Sequence, residues 1–145
     1  MTRTRTEPPL RRPRLLVVDD EPYNVDLVRR TFHRTATVFS AGDLATARAL
    51  LSTEAIDLIL VDYQLGGAPG DPDGAPRTGA TGLDLAQVAR AQRPAAAVVM
   101  VTGYADDPAL LAALRAGDLD ELVAKPWTPV DLRRRVEALL ARRPG

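Results

Sequence analysis

The sequence holds no cysteine, and that one absence removes disulfides, thiol nucleophiles and sulfur-ligated metals together. Its single histidine, His33, leaves no multi-histidine zinc site and little room for triad chemistry. No window approaches the roughly eighteen apolar residues of a transmembrane helix, and the arginine-rich start lacks a signal peptide's apolar run. An excess of either charge is missing too. Lysine plus arginine is 19 and aspartate plus glutamate is 19, so no global field draws the chain onto nucleic acid or an anionic membrane. Lysine itself is almost absent: Lys125 stands alone among arginines, and so solitary a residue asks for a reason. What remains for chemistry is carboxylates, hydroxyls and one amine. The 145 residues suffice for one substantial core, and a cytoplasmic domain is expected.

Residues 1–13 carry four arginines, three prolines and three threonines with little to bury, the composition of a disordered tail. The domain is expected over 14–142. Apolar runs of strand length at 15–18, 56–61, 97–101 and 122–124, with a weaker one at 36–39, alternate with helix-period stretches. Those stretches are 25–32, 44–51, 83–91, 110–114 and 132–140. Glu21-Pro22, Asp107-Pro108 and Thr128-Pro129 each put proline where a first-turn amide has no helical partner. Thr128 with Asp131 reads as a capping-box variant. Continuous apolar strands separated by helices predict an α/β fold, a five-stranded parallel sheet with five helices covering both faces. For five such units the doubly wound, flavodoxin-like order 2-1-3-4-5 leads, with its ligand site at the carboxyl ends of the first and third strands.

One connection is abnormal. Residues 66–81 carry five glycines and three prolines, where ordinary strand-to-helix loops run about two to six residues. Asp71-Pro72-Asp73-Gly74 resembles the start of a calcium loop, but the remaining ligand spacing is missing. A mobile insertion is the plainer reading.

The acids are placed with more purpose. Asp19 and Asp20 follow the first strand and Asp62 ends the third, so three carboxylates converge on the predicted crevice. Crowded carboxylates repel, and a hard divalent cation, magnesium or manganese, offsets this with oxygen ligands alone. The plainer alternative has Asp20 and Glu21 capping a helix and Asp62 merely ending a strand. Thr102 ends the fourth strand and Lys125 the fifth, on the same edge. An ammonium there can pair with an aspartate or a phosphoryl oxygen.

Together, Val17-Val18-Asp19-Asp20-Glu21-Pro22, Leu58-Ile59-Leu60-Val61-Asp62, Val101-Thr102-Gly103-Tyr104 and Lys125-Pro126-Trp127 resemble the receiver domain of a two-component response regulator. The resemblance implies that Asp62 accepts a phosphoryl group from a sensor histidine kinase or a histidine phosphotransfer protein. It implies direct metal ligation by Asp20, Asp62 and the backbone carbonyl of Gln64, with Asp19 acting through water. Thr102 and Lys125 would bind phosphoryl oxygens, across a cis Lys125-Pro126 peptide. Such a protein is a switch rather than an enzyme, limited to accepting and losing its own phosphoryl group. It signals by protein contact to an output partner the sequence does not name, with a homodimer through helix 4, strand 5 and helix 5 as one such contact. With helix 5 ending near Ala141, no output domain is expected in this chain.

Departures from the family pattern are specific. Leu122 stands where many receivers carry an aromatic residue three positions before the lysine, and Leu65-Gly66 replaces a methionine-proline pair. The insertion leaves three readings open, a lid, a partner contact or no function, the last being preferred. The resemblance implies that Gln64 and Tyr104, each two positions beyond a site residue, flank the path of the hydrolytic water, and a bulky Tyr104 is expected to slow it. His33 reads as exposed, Trp127 as packing, and the arginines of helix 5 as a solvated face. Two other functions fit less well. An aspartate-nucleophile phosphatase would space two acids after its first strand, and a flavin-type nucleotide binder would not put Asp19-Asp20-Glu21 against phosphate. A silent receiver that binds partners without phosphorylation is the remaining alternative.

Overall fold

The computed structural model describes residues 12–63 and 81–142. Residues 1–11 of the expected tail, Gln64 and the 66–80 part of the insertion lie outside them. Five β-α units follow in order: β1 (Arg14–Val18), α1 (Pro22–Phe32), β2 (Thr37–Ala41), α2 (Leu44–Thr53), β3 (Leu58–Asp62), α3 (Gly82–Gln92), β4 (Ala97–Thr102), α4 (Pro108–Ala116), β5 (Glu121–Ala124) and α5 (Pro129–Arg142). The strands are all parallel and lie in the order β2-β1-β3-β4-β5, the doubly wound topology the alternation predicts.

Within each continuous apolar run the side chains still alternate between faces, because the strand period is two. Leu16, Val18, Ile59, Val61, Val98 and Met100 enter one core with α2, α3 and α4. Leu15, Val17, Leu58, Leu60, Val99 and Val101 enter the other with α1 and α5, where Phe32, Leu132 and Val136 complete it. Every residue of β3 and β4 is buried, as central strands covered on both sides must be.

Helix starts follow the sequence signals, with one exchange. Glu21 caps α1 and Asp107 caps α4, each followed by its proline. At α5 the Thr128 hydroxyl accepts from Asp131 N–H at 3.2 Å, while the Asp131 carboxylate turns to Arg134 and Arg135. Two guanidiniums outcompete a backbone amide for it. The reciprocal box forms instead at Thr81, whose hydroxyl takes a first-turn N–H while Asp84 accepts from Thr81 N–H at 2.7 Å. The strand read from residue 56 begins only at Leu58; just before it, the Asp57 carboxylate takes Arg14 N–H at 2.8 Å.

Charged pairs close the amino-terminal edge of the sheet. Arg14 also reaches Glu54 at 2.7 Å. Arg90, on α3, ties Asp120 at 2.6 Å and the carbonyls of Ala96 and Gly117 at 3.0 and 3.1 Å. Asp120 in turn takes Val98 N–H at 2.8 Å, so one guanidinium fork joins α3, the end of α4, and the starts of β4 and β5.

Candidate functional site

At the opposite, carboxyl edge the period-two alternation holds to the end of β3 and one residue past β1 and β5. Val17 and Leu60 face the α1–α5 layer, and Asp19 and Asp62 continue that parity. Lys125 does the same after Val123. All three line a cavity of about 350 Å³ between α1 and α5, together with Asn24, Leu27, Val101, Trp127 and Leu132. Strand periodicity thus puts two acids and the only lysine on one wall.

Asp19, Asp20 and Asp62 each offer a carboxylate oxygen, all within 4.8 Å of one another. Asp19 and Asp62 are buried and Asp20 is exposed. Lys125 Nζ stands 3.2 Å from Asp62 Oδ2, and the Lys125-Pro126 peptide is cis. Asp19 Oδ1 accepts from Glu21 N–H at 2.9 Å and its Oδ2 from Asn24 Nδ2 at 3.3 Å. Burial, first, and the neighbouring Asp62 charge push the Asp19 carboxyl above its ordinary value, against the pull of the Glu21 amide, Lys125 and Asn24. The helix cap is Glu21, not Asp20, so capping does not account for the acid that points outward.

Thr102 is fully buried at the end of β4. Its Oγ1 accepts from Tyr104 N–H at 2.9 Å, which occupies a lone pair and leaves the hydroxyl hydrogen to donate. Its carbonyl accepts from Lys125 N–H at 2.9 Å, tying the two strand ends together. Tyr104 is 58% exposed. Trp127 packs against the α1–α5 core, and His33 is an exposed C-cap of α1, both as expected. Sequence reasoning missed Asn24, which gives only the faint signal of a polar side chain in the first turn after the acids. At Gly82 a Cβ would meet Met100 Sδ at 2.9 Å and the Asp62 carbonyl at 3.0 Å. The helix start at α3 is pressed against the residue that ends β3.

The donor set is hard and anionic, with three carboxylate oxygens and no sulfur or imidazole. It suits magnesium or manganese better than zinc. Burial raises Asp19 first and the Asp62 charge adds to it; the second of these is of the kind a divalent cation relieves.

Comparison with known proteins gives the class. The family model of the response regulator receiver domain matches residues 15–137. Among curated relatives, the response regulator PilR of Pseudomonas aeruginosa is 37% identical over 124 residues, covering 85% of this chain and 24% of that protein. The hydrogenase transcriptional regulatory protein HoxA of Cupriavidus necator is 29% identical, covering 86% of this chain and 24% of its own. The chain therefore spans about a quarter of the length of these two relatives. A CheY-like response regulator receiver domain from Methanospirillum hungatei JF-1 superposes with a TM-score of 0.76 at 25% identity, covering 90% of this chain and 95% of that one. The BeF3-activated DrrB receiver domain superposes at 0.73 over 91% of this chain and all of its own, and at 23% identity it speaks to the fold alone. The chain belongs to the response regulator receiver domain family. Receivers of this family are signalling domains of two-component systems, characteristically phosphorylated on aspartate, rather than enzymes of ordinary turnover. Among the described residues, no helix is long and apolar enough to cross a membrane.

Proposed function

We propose that this chain, over residues 14–142, is a phosphorylation-dependent switch whose phosphoacceptor is Asp62. The donor is the phosphohistidine of a sensor histidine kinase or histidine phosphotransfer protein. The observation that carries this is the Lys125 ammonium 3.2 Å from Asp62 Oδ2, within a cluster of three carboxylates at the crevice of a doubly wound sheet. In the transfer, an Asp62 oxygen bonds to phosphorus as the P–N bond breaks, and the leaving imidazole keeps the electron pair. Phosphoryl transfer needs positioning and charge neutralisation more than covalent work by the protein.

Each residue has a task suited to its chemistry. Lys125, now paired with Asp62, turns its point charge to a phosphoryl oxygen. Thr102 donates its hydroxyl hydrogen to another. Asp20 and Asp62 would hold magnesium or manganese directly, with Asp19 acting through water and the Gln64 carbonyl as a further ligand. The bound cation supplies charge neutralisation to the crowded oxygens. Output passes to a protein partner, and the surface of α4, β5 and α5 is the candidate for a homodimer.

Intact mass after incubation with acetyl phosphate tests the reading. Wild type gains one phosphoryl group only with magnesium, and Asp62→Asn gains none while keeping its circular dichroism spectrum. Phosphoryl uptake by a folded Asp62→Asn variant, or none by wild type with either acetyl phosphate or a histidine kinase, overturns it.

A further inference from the structure

Asn24 has no role in the site as expected from the sequence, yet it touches one of its acids. It sits in the first turn of α1, half-buried in the wall of the cavity between α1 and α5. Helix propensity gives no reason for asparagine there, since it ranks below alanine and the long unbranched residues. Its amide donates to Asp19 Oδ2 at 3.3 Å, while the other oxygen takes Glu21 N–H at 2.9 Å.

Two donors on two oxygens define the plane of a carboxylate. With the Glu21 amide alone, Asp19 is free to turn about its terminal torsion, which is broad for an sp²-ended side chain. Repulsion from Asp62, on the same face, would drive that turn. The cavity offers few substitutes: Leu27, Leu60 and Val28 line it, and Lys125 is committed to Asp62. Partners that orient a ligand from behind are known to set metal affinity.

We propose that Asn24 is a positioning residue that locks the Asp19 carboxylate in the orientation that receives the divalent cation's water, and so sets the affinity of the cluster. The assignment rests on reading the acid cluster as a metal site. It adds to that reading a residue outside the set of acids, threonine and lysine.

The test is manganese titration of the full chain, with the free aqueous ion followed by electron paramagnetic resonance. Asn24→Leu keeps the side chain's shape against apolar walls and removes the amide's polar atoms, so it keeps the test decisive if Asn24→Ala fails to fold. Both variants are expected to bind manganese about tenfold more weakly than wild type. The melting temperature of Asn24→Leu in chelator should stay near that of wild type, a split that a merely structural residue would not produce. Tyr23→Ala, one position away and 65% exposed, should stay within about twofold of wild type, since typical orienting contacts cost far more. Wild-type affinity in a folded Asn24→Leu variant overturns the proposal. Absence of any manganese binding by wild type overturns instead the metal site on which it rests.

Discussion

Asp19 is pulled two ways. Burial and the Asp62 charge favour its neutral form, and the Glu21 amide, Lys125 and Asn24 favour its charged form; the balance leaves its carboxyl above 3.8. The folded state therefore keeps this proton to a higher pH than the unfolded chain does. Between 3.8 and the raised folded value the folded state binds more protons, so this residue's contribution to stability falls as pH rises. In chelator, the urea midpoint of Asp19→Asn should gain on that of wild type as pH climbs through this window. A constant difference between the two would contradict a raised Asp19 carboxyl in the folded state. The gathering of Asp19, Asp20, Asp62, Thr102 and Lys125 at one edge was legible in the sequence because each directly follows or ends an apolar run, and parallel strands align those ends. Asn24 was not legible, since its partner depends on how α1 settles over the end of β1. That is a tertiary placement no spacing encodes.

At the scale of elements, the start of α3 packs tightly against the end of β3. Gly82 must lack a Cβ because Met100 Sδ, the Asp62 carbonyl and Tyr63 Cα would stand 2.9, 3.0 and 3.2 Å from it. Overpacking of this kind costs about 1–3 kcal/mol, and two of these three neighbours are backbone that cannot rotate away. Gly82→Ala should lower stability to urea by that amount and slow acceptance of phosphate from acetyl phosphate, by displacing the end of β3. Gly42→Ala, where nothing lies within 4 Å, should change stability by less than about 0.5 kcal/mol. Element order and sheet order were readable because strand-length and helix-length apolar patterns alternate without interruption. Boundaries were less so. Asp57, in the run that starts at residue 56, gives its carboxylate to the Arg14 backbone N–H, and Asp131 gives up its capping role to two arginines on its own helix. In both cases a carboxylate took a partner that apolar periodicity does not record.

For the whole molecule, the acid cluster makes stability depend on what is bound. A cation that binds only the folded state stabilises it by about 2.7 kcal/mol at a hundred times its dissociation constant. Magnesium should therefore raise the melting temperature of wild type. Asp20→Asn, which relieves repulsion without metal, should melt above wild type in chelator and lose most of the magnesium response. Equal melting temperatures in chelator would count against the repulsion.

The arginine clamps at the other end of the sheet give this a wider meaning. Arg14 and Arg90 are held by Glu54 and Asp120, so the amino edge is an internally settled ionic lattice. The carboxyl edge gathers three acids around one lysine among the described residues. Among the described residues the two edges of the sheet thus differ in kind. The acid-rich edge lies where ions and phosphoryl groups would be exchanged, and the paired edge serves as the fixed frame against which that exchange can be felt.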